Sequence, residues 1–155
     1  MTSARTSGLT LLLFLGLFSC AMAVVNATAE TFTIPAGQTA TRTVDLNADD
    51  DVSGRVSVVS SGELNGVNFS VLGPVGNVVL PSASVVVSDF NFKAVEAGTY
   101  SFVFDNSQST EDKTVSVNYE VRHYWFGMPQ EFVLMLIVVF VGVLGLVIYA
   151  MVSKR

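Results

Sequence analysis

An all-β chain is predicted: an antiparallel, jelly-roll-like β-sandwich of about eight strands, followed by one C-terminal transmembrane helix. Two observations carry the sandwich and a third carries the helix. Residues Gly98 to Ser107 and Lys113 to Val121 alternate apolar and polar at period two, so Tyr100, Phe102 and Phe104 share one sheet face, while Val115, Val117, Tyr119 and Val121 share one face of the next strand. At least six further short runs of this kind lie upstream between turn-forming clusters, and about eight strands in roughly a hundred residues is the pattern of a sandwich. From Phe132 to Val152 the chain carries no charge. A helix of that length extends about 31 Å, enough to cross the hydrocarbon core.

Taken in order, Arg5 precedes the apolar run Leu9 to Phe18, and Ala21-Met22-Ala23 supplies the small-x-small pattern that a signal peptidase cuts. Residues 1–23 are therefore expected as a signal peptide. The competing reading takes Leu17-Phe18-Ser19-Cys20 as a lipoprotein box with Cys20 acylated, but Phe18 fits that box poorly and the C-terminal run already supplies an anchor. The exported domain is expected over 24–122. Its strands are expected at Thr31 to Ile34, Ala40 to Leu46, Gly54 to Val59, Val67 to Leu72, Asn77 to Leu80, and Ser84 to Val95 with a break. The turn clusters between them are Pro35-Ala36-Gly37, Asn47 to Asp51, Ser60 to Gly66, Gly73 to Gly76 and Pro81-Ser82. The last two strands are expected to pair as an antiparallel hairpin, because Asp105 to Asp112 between them contains only polar residues.

Residues 123–131 are expected as a juxtamembrane linker, whose nine residues reach at most about 30 Å. A transmembrane helix over 132–152 and a tail over 153–155 follow. Tyr124, Trp125 and Phe126 before the span and Tyr149 near its far end stand where amphipathic rings settle at the headgroup level. Lys154 and Arg155 follow the span and Glu131 precedes it. Positive-inside bias then predicts a single-pass type I protein with the sandwich outside the cytoplasm.

Charge narrows the partners. All 13 acidic residues lie between Glu30 and Glu131, against five basic ones there, a net charge of −8. Such a field repels phosphate backbones and anionic headgroups, so no nucleic-acid partner is expected. Nor is an enzyme expected. The single histidine, His123, lacks a neighbouring cysteine or serine motif, and no G-x-S-x-G, H-E-x-x-H or phosphate loop occurs, so no catalytic or cofactor-binding residue is assigned. Asp49-Asp50-Asp51 carries oxygen donors suited to a hard cation, but consecutive aspartates cannot all point inward; they are read as a solvated turn and no metal ligand is assigned. Asp105 and Asn106 are read as shaping the following loop. Asn26 and Asn68 each begin a sequon and are candidate N-glycosylation sites. Gly142 and Gly145 leave room for a second helix, without the four-residue spacing of the dimer motif.

A glycine, an aromatic-rich strand ending Phe104-Asp105-Asn106-Ser107, a polar loop, then Lys113-Thr114-Val115 and an alternating strand resemble the closing hairpin of the GOLD domain of the emp24/gp25L/p24 cargo receptors. Weaker likeness extends through Val67 to Pro74 and Phe90 to Ala94, so that the resemblance covers roughly Phe32 to Val121. It implies a lumenal GOLD-like sandwich that binds proteins during secretory transport. Three of the family's usual features find no match: the domain disulfide, for which only Cys20 is present, the coiled coil before the membrane, and a tail with a diphenylalanine or dilysine signal.

The function expected is therefore a non-enzymatic, membrane-anchored protein-binding module that acts without cofactors. Its expected partners are the membrane it spans and membrane or exported proteins, with homo- or hetero-oligomers open. Loop residues Gln108, Ser109, Thr110, Glu111 and Asp112 are the candidate partner surface, because turn-rich polar loops on a rigid scaffold carry recognition. The alternative is an accessory subunit assembled through its transmembrane helix. The membrane is the plasma membrane in a prokaryotic host and a secretory-pathway membrane in a eukaryotic one.

Overall fold

The computed structural model describes residues 26–60 and 66–153. The signal-peptide segment, Cys20 and Lys154-Arg155 lie outside the described residues. Two units are present, one spanning Val25–Tyr124 and one containing Trp125–Arg155.

The first unit is a sandwich of eight antiparallel strands: β1 (Asn26–Ile34), β2 (Thr39–Leu46), β3 (Asp51–Ser60), β4 (Val67–Leu72), β5 (Val78–Val85), β6 (Val87–Lys93), β7 (Gly98–Asp105) and β8 (Lys113–Arg122). They form two four-stranded sheets in the orders β1-β8-β3-β6 and β2-β7-β4-β5. Alternation decides what lies between them. On β7, Tyr100, Phe102 and Phe104 are buried, and on β8 so are Val115, Val117 and Val121, with Tyr119 partly buried against the core.

The expected hairpin of the last two strands does not exist. β7 pairs with β2 and β4, whereas β8 pairs with β1 and β3 in the opposite sheet, so the polar loop between them arches across the sandwich. Period two reports which face of a strand is buried, and both arrangements bury the same residues. Within the described part of the sandwich, β4 and β5 alone are sequential strands paired in one sheet. Pro81-Ser82, expected as a turn, lies inside β5. That strand is an edge, where a residue without an N–H is tolerated, and its pairing with β4 is irregular after Phe69. The expected break in the Ser84 to Val95 run falls at Val86, where the chain passes from one sheet to the other.

Rings on facing sheets hold the layers together. Phe102 meets Tyr119 at 5.2 Å, Phe90 at 5.7 Å and Phe92 at 6.2 Å, all edge to face and all across the sandwich, while Phe104 meets Phe32 at 5.3 Å in the same way. Such geometry sets positive ring edges against negative faces and adds to the energy of burial. Gly54 makes room for them. A Cβ there would lie 2.5 Å from the Asn118 carbonyl oxygen and 2.7 Å from both the Phe90 ring and the Tyr119 Cβ. Gly98 opens β7 at φ 151°, where a side chain would also strike Pro74.

In the second unit, β9 (Tyr124–Trp125) and β10 (Met128–Pro129) form a two-stranded hairpin, with Tyr124 itself closing the sandwich unit. Helix α1 follows over Gln130–Val152, two residues earlier than expected. It is long and apolar enough to cross a membrane, with a mean hydropathy of 3.0 over its best window.

Two substitutions test this packing in the fragment Val25–Tyr124. Phe102→Ala is expected to cost about 3 kcal/mol, through lost transfer energy and the cavity left behind, whereas Ser101→Ala on the outer face costs little. Replacing a strand glycine ordinarily stabilises by about 0.5–1 kcal/mol. Gly54→Ala is expected to reverse that sign and destabilise by about 2 kcal/mol through overpacking. Chemical denaturation of the variants reads both, and a Gly54→Ala protein more stable than the parent contradicts the packing.

Candidate functional site

The loop joining β7 to β8 is built by its first residues. The Asp105 carboxylate accepts from the Ser107 N–H at 2.8 Å and from the Thr39 hydroxyl at 3.2 Å, which closes a local turn. Hydrogen bonding from Ser107, with a smaller part from Thr39, holds the Asp105 carboxyl below the usual aspartate range. Asn106, only 2% exposed, then donates from Nδ2 to the carbonyl oxygens of Ile34 at 3.3 Å, Pro35 at 3.1 Å and Glu111 at 2.9 Å. One amide thus ties the loop to the turn between β1 and β2.

The backbone repeats the connection. Asn106 donates its N–H to the Gln38 carbonyl at 2.9 Å, and Gly37 N–H is shared between the carbonyls of Asn106 and Ser109. Asp112 accepts from the Ala36 N–H at 2.9 Å. Asp105 and Asn106 therefore shape the loop, as their sequence context suggests.

Beside the loop opens a cavity of about 730 Å³. Asn68 on β4 and Ser84 on β5 line it from the sheet, with Gly66 and Val86 nearby in the chain; Asp105, Asn106, Gln108, Ser109, Thr110, Glu111 and Lys113 line it from the loop. Of the five candidate loop residues, four face the cavity and Asp112 braces the loop instead. The candidate sequon residue Asn68 also falls here, half-buried on an inner strand. Asn26 pairs with Val121 at the start of β1. Amides, hydroxyls and two carboxylates make the lining a hydrogen-bonding surface, with Asn106 Oδ1 buried and without a partner among the described residues. Lys113 is 1% exposed and was not anticipated, although it stands in phase with Val115 and Val117 and that alternation signals its inward position.

At the other end of the sandwich the solvated-turn reading of Asp49-Asp50-Asp51 needs correction. Asp50 is fully buried, and its Oδ2 lies 2.8 Å from both the Asn47 N–H and His123 Nδ1. Asp49 turns the chain at φ 72° and meets Lys93 at 2.9 Å, which raises the Lys93 pKa. A hydrogen bond to Asp51 raises that of Tyr124. The left-handed residue directs the next side chain inward, so three like residues have three different surroundings. His123 is correspondingly a bracket on the β2–β3 turn and not merely linker. No group of three or more His, Cys, Asp or Glu residues placed to hold a metal ion occurs among the described residues.

Comparison with known proteins follows the fold. In Arabidopsis thaliana, the transmembrane emp24 domain-containing protein p24beta3 is 37% identical over 83 residues, spanning 50% of this chain and 38% of that protein's length. Among solved structures, the periplasmic inhibitor of g-type lysozyme from Aeromonas hydrophila overlaps 64% of this chain and 89% of its own, at 14% identity and a TM-score of 0.49. The pre-peptidase C-terminal domain of a Bacillus anthracis collagenase overlaps 59% of this chain and 87% of its own, at 16% identity and a TM-score of 0.45. The emp24/gp25L/p24 family/GOLD model matches residues 29–131, from the first strand of the sandwich to the start of the apolar helix. The chain belongs to the emp24/gp25L/p24 GOLD family.

Proposed function

We propose that this protein is a membrane-anchored binding module that recognises exported or membrane proteins in secretory transport, through the cavity between the β7–β8 loop and strands β4 and β5. The observation that carries this reading is the loop's construction: Asn106 and Asp112 fix its backbone while Gln108 and Thr110 remain exposed beside the cavity. A surface already ordered loses little conformational entropy when it binds. The cavity lies at the end of the sandwich opposite His123, where the chain leaves the domain. Its lining suits a polar, hydrogen-bonding protein segment.

Helix α1 anchors the module as a single span, with residues 1–23 as its signal peptide and the sandwich outside the cytoplasm. The family's place in transport and the transmembrane relative p24beta3 support this arrangement. The accessory-subunit reading differs in placing the partner contact on α1.

Gln108→Ala combined with Thr110→Ala is expected to weaken copurification of a specific partner while leaving the thermal melt unchanged, because Asn106 and Asp112 brace the loop and Gln108 reaches only its exposed neighbour Ser107, at 3.5 Å. Exchanging Gln130–Val152 for an unrelated membrane helix should leave the partner bound. The opposite pair of results favours the accessory subunit. Topology is checked separately: in intact cells, a tag after Arg155 should resist external protease that cuts the sandwich.

A further inference from the structure

The turn between β9 and β10 consists of Phe126 and Gly127, at φ 54° and 74°. Positive φ at both central residues is what a two-residue hairpin of type I′ requires, and those positions ordinarily take Asn, Asp or Gly. A bulky side chain there is strained against its own backbone. This hairpin nevertheless carries a phenylalanine at the tip, 92% exposed, beside Trp125 at 43%. Among the described residues the Phe126 ring is left almost wholly uncovered, so a surface beyond them is what would reward a ring on this turn.

Continuity identifies that surface. The hairpin ends at Pro129 and α1 begins at Gln130, so at most about 14 Å of chain separates Phe126 from the apolar span. From Trp125 to Val152 the only charged residue is Glu131. The nearest cations upstream, Lys93 and Arg122, are paired with Asp49 and Glu120, so ring burial and not attraction to anionic headgroups is the main contact.

We propose that the β9–β10 tip is a wedge that enters the lipid surface, with the Phe126 and Trp125 rings at the headgroup–acyl boundary, where they set the depth of α1. The inference rests on α1 spanning a membrane. It goes beyond a belt of aromatic residues in assigning the contact to a preformed turn, in which the strained residue is the one that inserts.

Trp125 is the sole tryptophan, so the intact protein carries its own depth probe. The experiment reconstitutes the full chain in phosphatidylcholine vesicles with bromine at shallow or deep acyl positions and reads Trp125 quenching. Flotation after carbonate extraction reports the span independently. Shallow bromines are expected to quench at least about twofold more than deep ones. Phe126→Asn suits the left-handed turn better and removes the ring. It should preserve the sandwich's circular-dichroism melt, and the protein should still float, while shallow quenching falls at least about twofold. Replacing part of the phosphatidylcholine with phosphatidylserine should change neither result. Three outcomes overturn the wedge while the protein still floats: unchanged quenching in Phe126→Asn, free access of acrylamide to Trp125 without lipid quenching, or quenching that depends on phosphatidylserine. Loss of flotation in the parent protein overturns the span and the wedge together.

Discussion

Contact between Phe102 and the rings of the opposite sheet is the interaction on which the rest of this domain depends. Phe102 stands on an inner strand of one sheet and meets Phe90, Phe92 and Tyr119 on two strands of the other. Phe69 extends the cluster, reaching Phe90, Phe102 and Phe104. The chain's one cysteine, Cys20, leaves the sandwich without an internal disulfide, so side-chain packing must hold the two layers in register. This explains the glycine at position 54. Its missing side chain lets Phe90 and Tyr119 approach over the strand between them.

The same arrangement creates the candidate site. Since β7 and β8 belong to opposite sheets, the chain between them must cross the end of the sandwich, and seven residues do so without regular structure. Polar backbone groups in such a crossing need partners, and Asn106 supplies several of them at once. A tight hairpin in this position would have left no arch and no cavity beside it. The candidate surface is thus a consequence of the crossover.

A parallel economy operates at the opposite end, where the chain leaves the domain. Asp50 accepts from the Asn47 N–H and meets His123, while backbone bonds join Asp49 and Asp50 to Ala94. The β2–β3 turn, the segment after β6 and the end of β8 are thereby tied to one another. A buried carboxylate is costly without partners, so this bracket constrains the last residues of the sandwich more firmly than an exposed ion pair would.

The sequence by itself determined the approximate positions of the eight sandwich strands, the buried faces of three of them and the apolar helix. Each depends on local pattern: period two in β4, β7 and β8, and an uncharged run of spanning length in α1. The loop at Gln108 to Asp112 was legible as polar and turn-rich, and its closing segment carried the family resemblance. Only the tertiary structure decided that β7 and β8 part company, that Pro81 sits in an edge strand, and that Asp50 is buried while Asp49 is not. Alternation records whether a side chain faces the core, but it is the same for every possible strand partner. Pairing, the cavity and the Asp50–His123 bracket arise from residues distant in the chain, and their positions follow only when all eight strands pack around one aromatic core.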